Sequence, residues 1–235
     1  TKATEAHHKA SRCVVGAPAG PAACAAADAF ARDARLVDGL LADGFVVVDG
    51  LVLATDAERR AARAEAESVD KAGRLEATIQ QAAGTRDDRI AWVSAADLDA
   101  SGCPTLAALA RLQRGLAAAI NADGRWRERL TVPAASMLAC YGAGGRYKWH
   151  RDNHWTDDGA AGNARALTAI CYLNPDWVAE RDGGALMIYR EDGGVAREVA
   201  PRAGRVVVFD SFLGHEVMVS SRDRFALTFW VFGER

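Results

Sequence analysis

Residues 205–232 read RVVVFDSFLGHEVMVSSRDRFALTFWVF, three short β-prone runs separated by turns: Arg205 to Phe209, His215 to Val219 and Phe225 to Phe232. The same rhythm extends upstream through Ser136 to Tyr141, Tyr147 to His150, Leu167 to Leu173 and Ala185 to Tyr189. Many short strands at regular spacing predict a sandwich or barrel-like β core from Leu130 onward. The preceding half is helical. Phe30, Leu36, Val37, Leu40 and Leu41 recur at helical spacing and stop at Asp43-Gly44, after which Phe45 to Val48 reads as a strand. Thr55-Asp-Ala-Glu58 opens a second helix in capping-box form that continues to Val69. Leu106, Leu109, Leu112, Leu116 and Ile120 define a third, ended near Asn121-Ala-Asp-Gly124. With no repeat and no linker between the halves, the pattern predicts one α+β domain over residues 28–235, its N-terminal helices packed on the β core. Residues 1–27, rich in Ala, Gly and Pro, predict a flexible tail in which His7 and His8 are solvated.

Half of the 235 residues are hydrophobic, enough for a sizeable core, which excludes disorder of the whole chain. A net charge of −2 offers no global field for a nucleic-acid backbone, so no nucleic-acid partner is expected. No apolar run approaches the ~20 residues of a membrane helix, and no membrane association is expected. The five cysteines are odd in number and lack CxxC spacing, which argues against a disulfide framework and points to a reducing compartment, the cytoplasm or nucleus. The chain begins at Thr1 and not at a methionine, which leaves open a targeting segment before it.

Chemistry concentrates in His150-Arg151-Asp152. On a strand, residues i and i+2 share a face, so imidazole and carboxylate can converge while Arg151 turns away. His215, after Gly214, supplies a third ligand. Two histidines and a carboxylate form the facial triad of non-haem Fe(II) oxygenases, with positions left for cosubstrate and dioxygen. Arg224 lies in an apolar run that would be buried, and a buried guanidinium requires an anion. The distal carboxylate of a dicarboxylic cosubstrate would pair with it bidentately while the 2-oxo acid end chelates the metal. A structural ion pair of Arg224 with Asp210 or Asp223 is the bland counterpart.

Other readings compete. His150 and His154, four apart, could join His215 in a three-histidine zinc site for hydrolysis, but that spacing needs a helix and the context is strand-like. A jelly-roll binding module without catalysis has no need of the triad and Arg224 together. Trp92, Trp126 and Trp177 read as packing aromatics, Glu58 to Glu67 as a solvated helix face, and Cys140 and Cys171 as buried inert thiols. Gly142 to Gly145 reads as a turn, since no helix follows to make a phosphate loop. Lys71 to Asp88, polar and glycine-punctuated, reads as a long loop of the kind that carries function.

Tyr147-Lys-Trp-His150-Arg-Asp152-Asn, Cys171-Tyr172-Leu-Asn-Pro-Asp-Trp177, Gly183-Gly-Ala-Leu, Gly214-His215-Glu-Val and Arg224-Phe-Ala-Leu-Thr-Phe-Trp230 together resemble the 2-oxoglutarate-dependent prolyl 4-hydroxylases, most of all the cytosolic oxygen-sensing type that hydroxylates hypoxia-inducible transcription factors. The resemblance runs from Arg86 to the C-terminus. It implies a double-stranded β-helix (jelly-roll) core, Fe(II), 2-oxoglutarate and O2 as cofactor and cosubstrates, ascorbate dependence, a proline-containing protein or peptide substrate, and action as a monomer. By the same resemblance His150, Asp152 and His215 are iron ligands, and Arg224 and Tyr172 bind the distal carboxylate of 2-oxoglutarate. Tyr141 matches the active-site tyrosine near the metal and Thr228 a threonine lining the cosubstrate pocket, Arg165 and Trp230 contact the peptide, and the Lys71 to Asp88 segment is a finger loop over it. The finger sequence and His154-Trp155 depart from the animal members, where the second segment is smaller. Chemistry on another residue or on a small molecule would need the same triad and arginine.

Overall fold

The computed structural model describes Phe30, residues 35–78 and residues 84–234. The expected tail of residues 1–27 and the middle of the Lys71 to Asp88 loop lie outside them. In the helical half, α1 (Arg35–Asp43) turns through Gly44, at φ +76°, into β1 (Phe45–Asp49). Next comes α2 (Asp56–Lys71), and the expected capping box is present. The Glu58 backbone N–H donates to the Thr55 hydroxyl at 3.2 Å, and Glu58 Oε2 accepts the Thr55 N–H at 2.8 Å. Then follow β2 (Glu76–Ala77), β3 (Asp88–Val93), α3 (Ala95–Ala100) and α4 (Pro104–Asp123), which ends at left-handed Gly124. The sequence reading has no helix at α3, although Ser94-Ala-Ala-Asp97 forms a second capping box there. With two charged and only one large apolar residue among its six, α3 carries no periodicity to see.

The strand half runs β4 (Leu130–Thr131), β5 (Ser136–Tyr141), β6 (Tyr147–His150), β7 (Arg165–Tyr172), α5 (Ala179–Asp182), β8 (Leu186–Tyr189), β9 (Val195–Val199), β10 (Arg205–Asp210), β11 (His215–Val217) and β12 (Arg224–Gly233). They form two antiparallel sheets. The larger has the order β1-β10-β7-β12-β5-β3-β2, with β4 beside the end of β12, and the smaller has β6-β11-β8-β9. The expected jelly-roll is therefore present, and the helices cover the outer face of the larger sheet.

β12 explains how one strand serves both layers. Phe225, Leu227, Phe229 and Val231 join Leu106, Leu112 and Leu116 in the core between sheet and helices. Ala226 and Trp230 join Tyr141, Tyr172, Leu186 and Ile188 between the sheets. A strand buried on both faces reads as a continuous apolar run. The period of two then places Arg224 and Thr228 with Ala226 and Trp230, inside the jelly-roll.

Two expectations fail here. The α2 face from Glu58 to Glu67 is not merely solvated. Both Glu65 carboxylate oxygens accept backbone N–H groups of the next helix, from Thr105 at 3.1 Å and Leu106 at 2.8 Å, and replace the cap that Cys103 does not provide. Arg63 donates to Asn174 Oδ1 and to the Asp223 carbonyl, both at 3.0 Å. Trp92 is 54% exposed, because on β3 it points away from the helices toward the mouth of the jelly-roll, whereas Trp126 and Trp177 are buried as expected.

Candidate active site

His150, Asp152 and His215 come together as expected, with one ligand atom from each lying within 4.8 Å of the others. The local geometry differs from the sequence reading in one respect. β6 ends at His150, so Asp152 approaches from the turn after the strand and not as its i+2 residue. His215 on β11 is the direct cross-strand partner of His150, which is what brings the two imidazoles together. His154 is exposed and packs over Gly162 outside this cluster, which removes the three-histidine site.

Each histidine is held in one tautomer by its own backbone. His150 Nδ1 lies 2.8 Å from the Lys148 carbonyl and His215 Nδ1 lies 3.0 Å from the Leu213 carbonyl. A carbonyl only accepts, so both Nδ1 atoms carry the proton and both Nε2 lone pairs are free for a metal. Burial, and then the neighbouring His215, lowers the His150 pKa to about 4, which keeps the imidazole neutral and ready to ligate. Tyr147 stacks on His150 with ring centroids 3.6 Å apart, and the guanidinium of Arg86, paired with Asp88 at 2.6 Å, covers the other face of Tyr147. Thr85 and Asp87 hydrogen-bond to Lys148 and Arg146, so the end of the predicted finger loop is laced onto the strand that carries His150.

Asp152 is held from three sides. Its Oδ2 accepts the Thr168 hydroxyl at 2.7 Å and the Trp230 indole N–H at 3.0 Å, and its Oδ1 lies 3.7 Å from the Arg165 guanidinium. Burial opposes ionisation, but His215, Arg165 and the Thr168 hydroxyl outweigh it and hold the carboxyl below its ordinary range. Trp230 and Arg165, expected to touch peptide, therefore also brace a metal ligand. Arg165 stacks on the Trp230 ring at 4.0 Å, and Trp92 lies 5.6 Å from Trp230 on the solvent side. Thr168 was missed by sequence reasoning. Its only signal is an inward position on β7, two residues before Ile170 and four before Tyr172.

Deeper in the jelly-roll, Arg224 is 1% exposed. Its Nε donates to the Gly184 carbonyl at 2.7 Å, and its guanidinium lies near the rings of Tyr141 and Tyr172. It pairs with neither Asp210, which binds Arg127, nor Asp223. Arg224 Nη2 and Tyr172 Oη are buried without a hydrogen-bond partner. Burial pushes Tyr172 up to about 12, against the opposing pull of Arg224, so the phenol remains a donor. An unspent guanidinium nitrogen and an unspent phenol hydroxyl side by side fit a carboxylate, and among the described residues no side chain supplies one. Tyr141 and Thr228 are also buried, and burial pushes the Tyr141 pKa upward. Triad and cation thus fit Fe(II) and the two ends of 2-oxoglutarate by donor chemistry alone.

Residues 136–232 match the model of the 2OG-Fe(II) oxygenase superfamily. The chain is 42% identical over 98 residues to a hypoxia-inducible factor prolyl hydroxylase of Caenorhabditis elegans, covering 40% of this chain and 13% of that protein. It is 33% identical over 153 residues to human prolyl hydroxylase EGLN3, covering 63% of this chain and 59% of that one. The chain thus spans less than two thirds of these relatives. Among solved structures, a prolyl hydroxylase from Trichoplax adhaerens in complex with a hypoxia-inducible factor peptide superposes with a TM-score of 0.73 at 25% identity, covering 88% of this chain and 91% of that one.

Proposed function

We propose that this chain, whose residues 136–232 form a 2OG-Fe(II) oxygenase domain, hydroxylates proline at C4 in a protein or peptide, consuming O2 and 2-oxoglutarate and releasing succinate and CO2. The observation that carries the reading is the unpaired Arg224 guanidinium, buried with the unpartnered Tyr172 hydroxyl behind the His150, Asp152 and His215 cluster. Iron with 2-oxoglutarate supplies dioxygen activation coupled to oxidative decarboxylation of the cosubstrate. The chain does the positioning. His150 and His215 present Nε2, and Asp152, fixed by Thr168 and Trp230, presents its carboxylate. Arg224 and Tyr172 take the distal carboxylate, which sets the cosubstrate's reach toward the metal. Ile170, Leu186, Ile188 and Phe209 around them keep the pocket dry.

Proline as the target is supported by the relatives and the peptide-bound neighbour. Their shared chemistry also supports ascorbate as the agent that keeps the iron reduced. We further propose a monomer acting in the cytoplasm or nucleus, a setting in keeping with the free buried thiols of Cys103, Cys140 and Cys171, and a folded unit beginning near residue 28. The deciding experiment incubates proline-containing peptides with the protein, Fe(II), 2-oxoglutarate and O2, and locates any added oxygen by mass spectrometry, with His215→Ala as control. Oxygen on another residue type overturns the substrate and keeps the chemistry. No succinate from any substrate favours a non-catalytic binding module.

A further inference from the structure

Asp152 is the member of the metal cluster that no strand holds. His150 closes β6 and His215 opens β11, whereas Asp152 stands in the turn beyond His150. Its two side-chain hydrogen bonds, from the Thr168 hydroxyl and the Trp230 indole, both end on Oδ2. The Arg165 guanidinium, 3.7 Å from Oδ1, is beyond hydrogen-bond reach. Two bonds to one oxygen leave the carboxylate a pivot about that oxygen, so its aim depends on where the backbone stands.

That backbone is pinned at both ends of one peptide group. The Asp152 carbonyl accepts the Asn163 Nδ2–H at 2.9 Å, and across the same peptide bond the Asn153 N–H donates to the Ser211 carbonyl at 2.8 Å. Asn153 is 1% exposed and its whole amide is spent on backbone. Nδ2 donates to the carbonyls of Asn163 at 3.1 Å and Arg165 at 2.6 Å, and Oδ1 accepts the N–H groups of His154 at 2.9 Å and Asn163 at 3.1 Å. Asn163 Oδ1 accepts the Arg165 N–H at 2.8 Å. The two asparagines thus clasp the base of the hairpin between them, which the Gly162 N–H to His154 carbonyl bond and the Trp155–Ala161 bridge continue outward. Ser211 ties this backbone clasp to the carboxylate. Thr168 spends its single proton on Asp152, so the Ser211 hydroxyl, 3.0 Å away, donates to Thr168. A buried polar network with its members satisfied rigidifies what it surrounds.

We propose that Asn163 and Asn153 are positioning residues for the metal site. They fix the Asp152–Asn153 peptide, and through it the aim of the Asp152 carboxylate beside His215 Nε2, 3.8 Å from Oδ2. They also isolate that aim from the exposed hairpin of residues 154–162, which can change without moving the ligand. This rests on the reading of the cluster as a metal site.

The test titrates Co(II) into the full chain and records its visible absorption, whose bands follow the coordination geometry. Asn163→Ala deletes the bond to the Asp152 carbonyl at a half-buried position, and is expected to weaken Co(II) about 10–100-fold and to alter the spectrum. Asn163→Ser keeps a weaker form of the turn bond to the Arg165 N–H, still loses the donor to Asp152, and repeats the effect should the alanine variant fold poorly. Thr156→Ala, which removes the hydroxyl bond to the Ala160 carbonyl at the hairpin tip, matches wild type in affinity and spectrum. A residue that only supports the fold lowers the unfolding temperature and leaves the spectrum of the folded protein unchanged. Wild-type affinity and spectrum in both Asn163 variants overturn the proposal, and so does a loss in Thr156→Ala equal to theirs. If wild type binds no Co(II), or binds it as tightly after His215→Ala, the metal-site reading itself fails and the proposal falls with it, a result distinct from the other two.

Discussion

Replacing Arg224 with methionine should leave the ligand-free protein close to wild type in stability, although the side chain is among the largest fully buried ones. Truncating a large buried residue ordinarily costs about 2–5 kcal/mol. Here the wild type holds an uncompensated cation, and relief of such a charge by an apolar residue of similar volume contributes about 1–4 kcal/mol in favour of the variant. Against this stands the loss of one charge-assisted hydrogen bond, Nε to the Gly184 carbonyl, worth about 1.5–3 kcal/mol. The two nearly cancel. Cosubstrate binding behaves oppositely. A bidentate pair with a desolvated carboxylate, once broken, costs about 3–5 kcal/mol, which weakens 2-oxoglutarate more than about a hundredfold. Wild type with Mn(II) and 2-oxoglutarate at about 100 times its Kd gains roughly 2.7 kcal/mol, and Arg224→Met gains almost nothing. Urea unfolding of both proteins, with and without ligand, reads all four numbers. A ligand-free variant destabilised by more than about 2 kcal/mol would show that Arg224 has a structural partner, and the assignment of the carboxylate pocket would fall with it.

Thr168→Val and Trp230→Phe each remove one hydrogen bond to Asp152 Oδ2, and each should weaken metal binding about 10–100-fold in a Mn(II) or Fe(II) titration, with little change in fold. Glu65→Ala leaves two helix N–H groups unpaired at the start of α4 and should cost about 1–2 kcal/mol in urea unfolding while turnover of the folded protein is unchanged. Asp182, held down to about 2 by Arg181 and by the Val178 N–H, anchors the turn that leads to Gly184. Its folded pKa lies below the unfolded value, so the stability it contributes is full above about 4 and is lost as pH falls toward 2. Asp182→Asn should therefore be less stable than wild type at neutral pH, by about 1 kcal/mol after screening of the two half-exposed arginines, and equal to it near pH 2 in thermal melts.

The metal ligands and Arg224 were legible because each carries a chemical demand visible in one dimension: imidazoles near a carboxylate, and a cation inside an apolar run. What the sequence concealed depends on register. Thr168 is an ordinary strand threonine until β7 pairs with β12 and sets it opposite Trp230. Glu65 looks like one more surface acid until α4 begins beside it. Asp152 was assigned the right partner by the wrong geometry, because the strand stops one residue before the turn that delivers it. β9 escaped notice because Val195-Ala-Arg-Glu-Val199 is an edge strand that pairs only with β8 and keeps most of its side chains in water.

The division between legible and hidden residues also bears on how the site divides its labour. Arg224, Tyr172 and Tyr141 sit inside the closed end, where burial itself fixes their roles and leaves little freedom to change. The rim is different. Trp92, Trp155 and Arg165 are at least partly open, and each contacts an aromatic ring: Trp92 meets Trp230 at a tilt, Arg165 lies over the Trp230 ring, and Trp155 stacks on Phe212. Two of these three, Trp92 and Arg165, meet at the indole that donates to Asp152, so a polypeptide pressing on the rim bears on the orientation of a metal ligand through one hydrogen bond of 3.0 Å. Substitution at Trp92 should consequently alter KM for peptides more than cosubstrate binding, whereas substitution at Trp230 should disturb both. Equal effects at the two positions would mean that the rim and the metal carboxylate are not separable.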